Sequence, residues 1–479
     1  MRKIVKQNLL ELFKTIYEAH GIIKDFIDKK EYESAQNLLA DCQDIAIEIG
    51  ENIEASEGEG FVTLSYIEEY CKALYEVAIS LSEQCNSYKV HKLLDKTLIK
   101  IENSVKSDIK IKLEIAFMPY KASMWDSLES VWKAASADPD CEVYVVPIPY
   151  YDRNPDRSLG TFHYEGDEYP DYVPVVNYEE YNLEQRRPDV IYIHNPYDGN
   201  NYVTSVDPRF YSKQLKKYTE CLVYIPYFVV ASSNVRFNML GNSVCLNSDR
   251  IILQSEGVKE SALKLLQNSG YPNIDSIDKK IAVLGSPKLD SAINAKKEDF
   301  DIPEDWKKLM ENKKVVLYNT SISSALEGGE KFLEMIENTL QEFKDSNEYV
   351  LWWRPHPLLE ATYESMRINL AQRYKTLLMS YKESGYGMLD ESNQLQRALA
   401  YCDIYYGDRK SSVYTVFSAT GKPLVYIDTD KVGYTSNFSR DYEMTYRDNS
   451  DCEVLKRNAN PDGTCGIKTH QLIKGEILK

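Results

Sequence analysis

Three short segments bring hydroxyls, an arginine and a histidine to the ends of apolar runs, and together these groups suit the holding of an anion. In "YYGDRKSSVYTVFSATGKPLVY" an apolar run ends at Gly407 and Asp408, and a helical pattern opens at Ser411 or Ser412. The first turn of a helix leaves backbone N–H groups unpaired, and hydroxyls beside them add donors, so a phosphate fits there. A serine in that place also serves as an N-cap, and the two roles are compatible. In "LWWRPHPLLE", Arg354 and His356 stand just past a buried strand, with Pro355 and Pro357 fixing the backbone. Arginine can fork onto phosphate oxygens, and histidine can bond one or move a proton. The plainer alternatives are an Arg354–carboxylate pair and a His356–carbonyl bond. In "LYNTSISS", Thr320, Ser321 and Ser323 again follow an apolar run and precede a helical one. A fourth segment, "DVIYIHNPYDGNN", ends an apolar strand at His194, beside Asn195, Asp198 and Asn200. His194 is the candidate general base facing His356, and a histidine satisfied by loop backbone is the alternative.

Positioning such groups takes parallel sheets, and the pattern along the chain supplies them. Residues 1–108 read as helix throughout. Leu9, Leu12, Phe13, Ile16, Ala19 and Ile23 recur at three- and four-residue steps, as do Ala35, Leu39, Cys42 and Ala46 in a second run. Near Ile109 the period changes to strands alternating with helices, as in "IKIKLEIAFMPY", "CEVYVVPIPYY", "PDVIYIHNPYD", "CLVYIPYFV", "RIILQS" and "KIAVLGS". Strand–helix alternation argues for a parallel sheet with ligands at the carboxyl ends of its strands. The pattern restarts with "KKVVLYNTS" and continues through "EYVLWWRPHP", "CDIYYGD" and "KPLVYID". The expected fold class is therefore α/β, a GT-B-like pair of Rossmann-type domains preceded by an all-helical N-terminal domain. The expected boundaries are 1–108, 109–295 and 296–479. A single large doubly wound sheet is the alternative.

Composition narrows the partners. The 479 residues carry a formal net charge of −17, which repels nucleic acid and anionic lipid at long range, so a phosphate ligand must be held by local donors. The nine cysteines show no C-x-x-C pair, as expected of reduced thiols in a cytoplasmic protein. The opening segment reads as an amphipathic helix, and no apolar run approaches the ~20 residues of a membrane span. The expected membrane contact is at most peripheral. No carboxylate cluster resembles a divalent-metal cage, so neither a metal nor a cofactor is expected. The helical region offers no chemistry of its own and suits a homodimer or partner contact.

A family resemblance rests on three of these segments. "AVLGSPKLDSAI" resembles the G-x-P-R/K-x-D segment of the CDP-glycerol glycerophosphotransferase family, the teichoic-acid type. "WWRPHP" is similar to that family's H-P strand end, and "GDRKSSVYTVFSATGKPLVY" to its D-x-S-S…K-P segment. The likeness covers roughly residues 280–430. It implies a GT-B fold and attack by an acceptor hydroxyl on the phosphorus nearer the glycerol, with release of CMP. His356, Ser411 and Ser412 would then contact the donor diphosphate. The family's polymerases carry an H-G-T-P-L-K-like stretch where this chain has "IHNPYD", and they bind membranes through basic surface.

The expectation from sequence is thus a transferase acting on a CDP-linked donor and a hydroxyl acceptor. His194 and His356 would be catalytic, with Thr320, Ser321, Arg354, Asp408, Ser411 and Ser412 binding substrate. The rivals are a nucleotide-sugar glycosyltransferase or epimerase on the same fold, and a catalytically silent binding module.

Overall fold

A computed structural model describes residues 1–82, 85–230, 239–392, 394–408, 411–427, 437–446 and 458–479. The chain divides into two compact units, Met1–Ile115 with Asp138–Glu142, and Ala116–Ala137 with Val143–Lys479.

The first unit contains four long helices, α1 (Lys3–Asp28), α2 (Tyr32–Glu57), α3 (Val62–Ser80) and α4 (Ser87–Ser107). Each packs on its sequence neighbours and α1 closes on α4, so they form a four-helix bundle. The three- and four-residue apolar spacing places Leu9, Phe13, Ile16, Ile23, Leu39, Ile53, Leu74, Leu94 and Leu98 in one buried core. Asn86 caps α4 by accepting from the Lys89 N–H at 2.9 Å. Gly58, at φ +91°, ends α2. At the far end of α4, Lys6 Nζ donates to the carbonyls of Lys106 (3.1 Å) and Ile109 (2.7 Å). One polar line crosses the core, where buried His20 lies between Asp95 (2.8 Å) and Tyr70 Oη (2.7 Å). Burial lowers the His20 pKa against the opposing pull of Asp95.

Among the described residues fourteen strands, β1 to β14, follow. They are β1 (Leu113–Phe117), β2 (Cys141–Val145), β3 (Tyr150–Arg153), β4 (Leu159–His163), β5 (Val190–Ile193), β6 (Thr204–Val206), β7 (Cys221–Tyr224), β8 (Arg250–Leu253), β9 (Ile281–Val283), β10 (Lys314–Thr320), β11 (Tyr349–Pro355), β12 (Met388–Leu389), β13 (Ile404–Asp408) and β14 (Leu424–Ile427). A six-stranded sheet runs β2-β1-β5-β7-β8-β9, a five-stranded sheet runs β12-β11-β10-β13-β14, and β4-β3-β6 make a small third sheet. β5, β7, β8 and β9 are parallel, as is every pair of the five-stranded sheet, while the small sheet is antiparallel. This is an α/β architecture, two Rossmann-type lobes in a GT-B-like pair, preceded in the chain by an all-helical N-terminal segment. The single continuous sheet is not formed.

Strands buried on both faces read as unbroken apolar runs. In β11 the fully buried Trp352 and Trp353 point to opposite faces. Trp353 joins Tyr318, Leu333, Ile336 and Tyr406, and Trp352 joins Leu317, Leu399 and Tyr405. Aromatic side chains of this size bury roughly 150–250 Å² each, so this pair anchors both layers of helices to the sheet.

The segment "LGSPKLD" ties the two lobes together. Its helix, Pro287–Ile293, places Lys288 Nζ 2.8 Å from Asp126 Oδ1 of the first lobe. Asp290 accepts from the N–H groups of Cys465 (3.2 Å) and Gly466 (2.7 Å), capping the C-terminal helix Cys465–Ile477. That helix leaves the second lobe and packs on α5 (Glu129–Ser136) of the first, where Glu476 forks onto Arg250 at 2.7 and 2.9 Å. Apart from Leu113–Ile115 and Asp138–Glu142, both lobes accordingly belong to one compact unit.

Gly285 opens this segment at φ +96°, and a Cβ there would collide with Cys465 Sγ and lie 2.8 Å from Asn458 Oδ1. Gly270, at φ +72°, faces open space. Gly270→Ala should therefore cost only the about 1–2 kcal/mol of a left-handed alanine. Gly285→Ala should cost more, because the collision is added. Urea unfolding midpoints of the two variants against the parent decide this, and equal shifts would show that the crowding is relieved without cost.

Candidate functional site

Both sheets reverse their strand order once, between β1 and β5 in the first lobe and between β10 and β13 in the second. Open α/β sheets hold ligands beside such points, past the carboxyl ends of the strands. The residues singled out from sequence fall at these two places.

In the second lobe the register sets Asn319 of β10 directly opposite Arg354 of β11 and Gly407 of β13. The Asn319 side chain links β10 to β11 and to the helix start that follows β13. Its Nδ2 donates to the Arg354 carbonyl (3.0 Å), and its Oδ1 accepts from Ser411 Oγ (2.6 Å). A Cβ at position 407 would lie 2.5 Å from the Asn319 carbonyl oxygen, so only glycine allows β13 to run this close. Ser411 also N-caps the helix Ser412–Ser418 through the Val413 N–H (3.1 Å). Ser412 is exposed at the same helix start. Arg409 and Lys410 of this segment lie outside the described residues.

His356 reaches the group through the backbone, its N–H donating to the Thr320 carbonyl at 3.0 Å. Its Nδ1 accepts from the Leu358 N–H at 3.2 Å, which leaves the proton on Nε2. The ring is exposed, yet sheltered enough that desolvation lowers its pKa below the ordinary histidine value. At neutral pH it is an uncharged donor at the strand end.

Other expected ligand contacts are engaged within the protein. Arg354 is buried and donates to Asp390 Oδ2 and to the Ser392 carbonyl, both at 2.7 Å. Asp390 also accepts from Trp352 Nε1 (3.0 Å), Arg397 (2.9 Å) and Ser392 Oγ (2.7 Å). Burial alone would raise the Asp390 pKa, but Arg354 and these donors hold it below the ordinary value. The arginine's partner is thus a carboxylate from beyond β12, which the sequence segment "RPHP" could not reveal. Asp408 is likewise buried, and its Oδ2 accepts from Ser321 Oγ (2.7 Å) and Ser324 Oγ (2.5 Å). Ser321 N-caps the helix Ile322–Gly328, and Thr320 Oγ1 accepts from Trp353 Nε1 at 3.2 Å. Thr320, Ser321, Arg354 and Asp408 brace the strand ends, while Ser411, Ser412 and His356 stand at their rim.

His194, expected to be the base, does not fit that task. Its ring is completely buried, Nε2 accepts from the Tyr120 N–H (3.1 Å), and Nδ1 lies 3.0 Å from Ser127 Oγ. Ser127 Oγ spends its own hydrogen on the Met124 carbonyl (2.8 Å), so His194 Nδ1 carries a proton and donates. Neither nitrogen can take a proton from an acceptor, and burial pushes the pKa down to about 3. His194 instead locks the loop after β1 to the end of β5. The neighbouring Asp198 is also structural, accepting from Ser212 N–H, Ser212 Oγ and Ser243 Oγ.

Sequence reasoning missed Asn319 and Asp390. An amide at the end of the apolar run "VVLYN" was the available signal, because a buried amide must find partners. Asp390 sits in a turn with no apolar frame and left none.

No protein-family model matches this chain, and no curated protein matches it in sequence. Solved structures resemble it at a distance. The wall teichoic acid polymerase TagF is 12% identical at a TM-score of 0.46, the match covering 87% of this chain and 98% of that one. The UDP-GlcNAc 2-epimerase of Methanocaldococcus jannaschii, in complex with UDP-GlcNAc and UDP, is 11% identical at 0.44, covering 76% and 100%. That of Neisseria meningitidis, bound to UDP-GlcNAc, is 13% identical at 0.43, again covering 76% and 100%. TM-scores below 0.5 leave these as distant likenesses with no bearing on this chain's activity.

The His194 environment has a pH signature. Unfolded, histidine titrates near 6.5, whereas the folded ring resists protonation to about pH 3. The unfolded chain therefore binds the proton first as pH falls. The stability contributed by the neutral ring is complete above pH 6.5 and is lost progressively below it, by about 2 kcal/mol between pH 7 and pH 5. His194→Gln should be less stable at pH 7 and should lose less on acidification. Parallel unfolding slopes for the two proteins between pH 7 and 5 would contradict the assignment.

Proposed function

We propose that the chain is a phosphotransferase that moves a phosphopolyol group from a CDP-linked donor to a hydroxyl acceptor, releasing CMP. The observation that carries this reading is the Asn319 clamp. It ties Ser411, at the start of the helix that carries Ser412, to the Arg354 carbonyl two residues before His356, at the second lobe's strand-order reversal.

Phosphoryl transfer asks mainly for positioning and for donors aimed at developing charge. Ser412 would donate to the diphosphate, Ser411, whose hydrogen is held by Asn319, would fix the helix start beside it, and His356 would donate from Nε2 to the phosphate that leaves with CMP. Arg354 would act through the backbone, its charge already neutralised by Asp390, by fixing the carbonyl that Asn319 grips. Uncharged donors suit a site in a chain of net charge −17, since a diphosphate is then bound by directed hydrogen bonds rather than by a general field. The acceptor hydroxyl's proton passes to the phosphate that leaves as CMP, while His194 takes no proton and shapes the first lobe's wall.

CDP-glycerol or CMP should raise the thermal unfolding temperature, and turnover should be followed as CMP released in the presence of a polyol phosphate acceptor. Removing one preorganised donor typically costs about 10²–10³ in rate, so His356→Ala should fall by that amount. Asn319→Ala should weaken donor binding by roughly tenfold through loss of a hydrogen bond to Ser411. Undiminished turnover in His356→Ala would remove its role. Turnover of UDP-N-acetylglucosamine but not of CDP-glycerol would replace the reading with a nucleotide-sugar one.

A further inference from the structure

From Glu31 to Cys71 the chain has eleven acidic residues and no lysine or arginine. Seven of the acids lie on α2, and six of these, Glu33, Asp41, Asp44, Glu48, Glu51 and Glu54, are exposed. None of the six makes an ion pair among the described residues. α4 has the opposite bias, with five lysines against two acids. Both of its acids are engaged elsewhere, Asp95 with His20 and His91, Glu102 with Tyr17 and Lys106. Lys89, Lys92 and Lys96 are exposed and have no carboxylate partner among the described residues.

Geometry separates the two biases. α1 and α3 each pack against both α2 and α4, so α2 and α4 lie across the bundle's diagonal and their outer faces look away from one another. The charges cannot pair within one molecule. Each also runs against its own helix dipole. α2 gathers acid in its second half with no basic residue in its last turn, and α4 opens with Lys89 and no acid in its first turn. Both faces carry apolar side chains amid the charge. Ile47 is 45% exposed on α2, and on α4 Leu93 is 43% exposed and Ile99 46%. Asp41 to Glu54 and Lys89 to Lys100 run about 20 Å and about 16 Å along their axes, comparable lengths of helix.

We propose that the α4 face of one molecule docks onto the α2 face of a second copy of this chain. The helices would cross antiparallel, because that orientation sets the acidic second half of α2 beside the basic first half of α4. Each charge then meets both an opposite charge and the favourable end of the facing helix. Since the two faces lie on opposite sides of one bundle, the contact is heterologous, α2 of one copy against α4 of the next, and it builds a ring or a chain rather than a two-fold dimer. This inference is independent of the catalytic reading.

Sedimentation of the full chain at tens of micromolar and about 0.15 M salt should show self-association. The triple variants Asp44→Lys/Glu48→Lys/Glu51→Lys and Lys89→Glu/Lys92→Glu/Lys96→Glu should each associate roughly tenfold or more weakly, through like-charge contact. Equimolar mixing of the two should restore assembly, because each then presents what the other lacks. Zero-length carbodiimide coupling of isotope-labelled with unlabelled parent chains needs no variant. It should join α2 carboxylates to Lys89, Lys92 or Lys96 between copies. A monomeric parent chain, variants that associate undiminished, a mixture that stays apart, or inter-copy links confined to other residues would each overturn the proposal.

Discussion

The second lobe depends on one buried amide. Asn319 stands in register between Arg354 and Gly407, gripping a carbonyl on one side and a serine hydroxyl on the other. Backbone hydrogen bonds hold the strands side by side but do not set where the loops beyond them begin. The amide does, because its two ends are chemically different and each finds one partner. Gly407 makes the grip feasible by bringing β13 against the Asn319 carbonyl, where any side chain would intrude.

Around that clamp the polar groups divide into those that are satisfied and those that are offered. Arg354, Asp390, Asp408, Ser321 and Thr320 satisfy one another or the indoles of Trp352 and Trp353. Burying an arginine and a carboxylate is costly unless each lone pair and proton has a partner, and here five donors converge on Asp390. The result is a rigid floor whose charges are cancelled. Ser412 and His356 rise from it at the rim, beside Ser411, whose hydroxyl the clamp already holds.

Much of the fold was legible because its cause is local. The three- and four-residue periodicity of α1 to α4 and the unbroken apolar runs of β10, β11 and β13 each follow from which faces are buried. The glycine- and serine-rich turns after those strands followed as well. Partners set by tertiary folding were not legible. Nothing near Arg354 in sequence points to Asp390, thirty-six residues on. His194 looked like a base because it ends an apolar strand, yet its role is decided by Tyr120 and Ser127 from a loop some seventy residues earlier. The segment "LGSPKLD" was recognisable as a pattern, while its use as a stitch between lobes depends on Cys465 and Gly466.

That stitch bears on the order in which the molecule can be made. Asp290 lies buried in a position whose partners, the first N–H groups of the C-terminal helix, are 175 residues away. α5 and Arg250 of the first lobe likewise await that helix. During synthesis the first lobe emerges well before its last packing element. It must persist incomplete, with an uncapped carboxylate and a bare face on α5, until the second lobe has been translated and the chain returns. The finished packing of the first lobe therefore waits on the translation of the second. The first lobe is begun early and finished last.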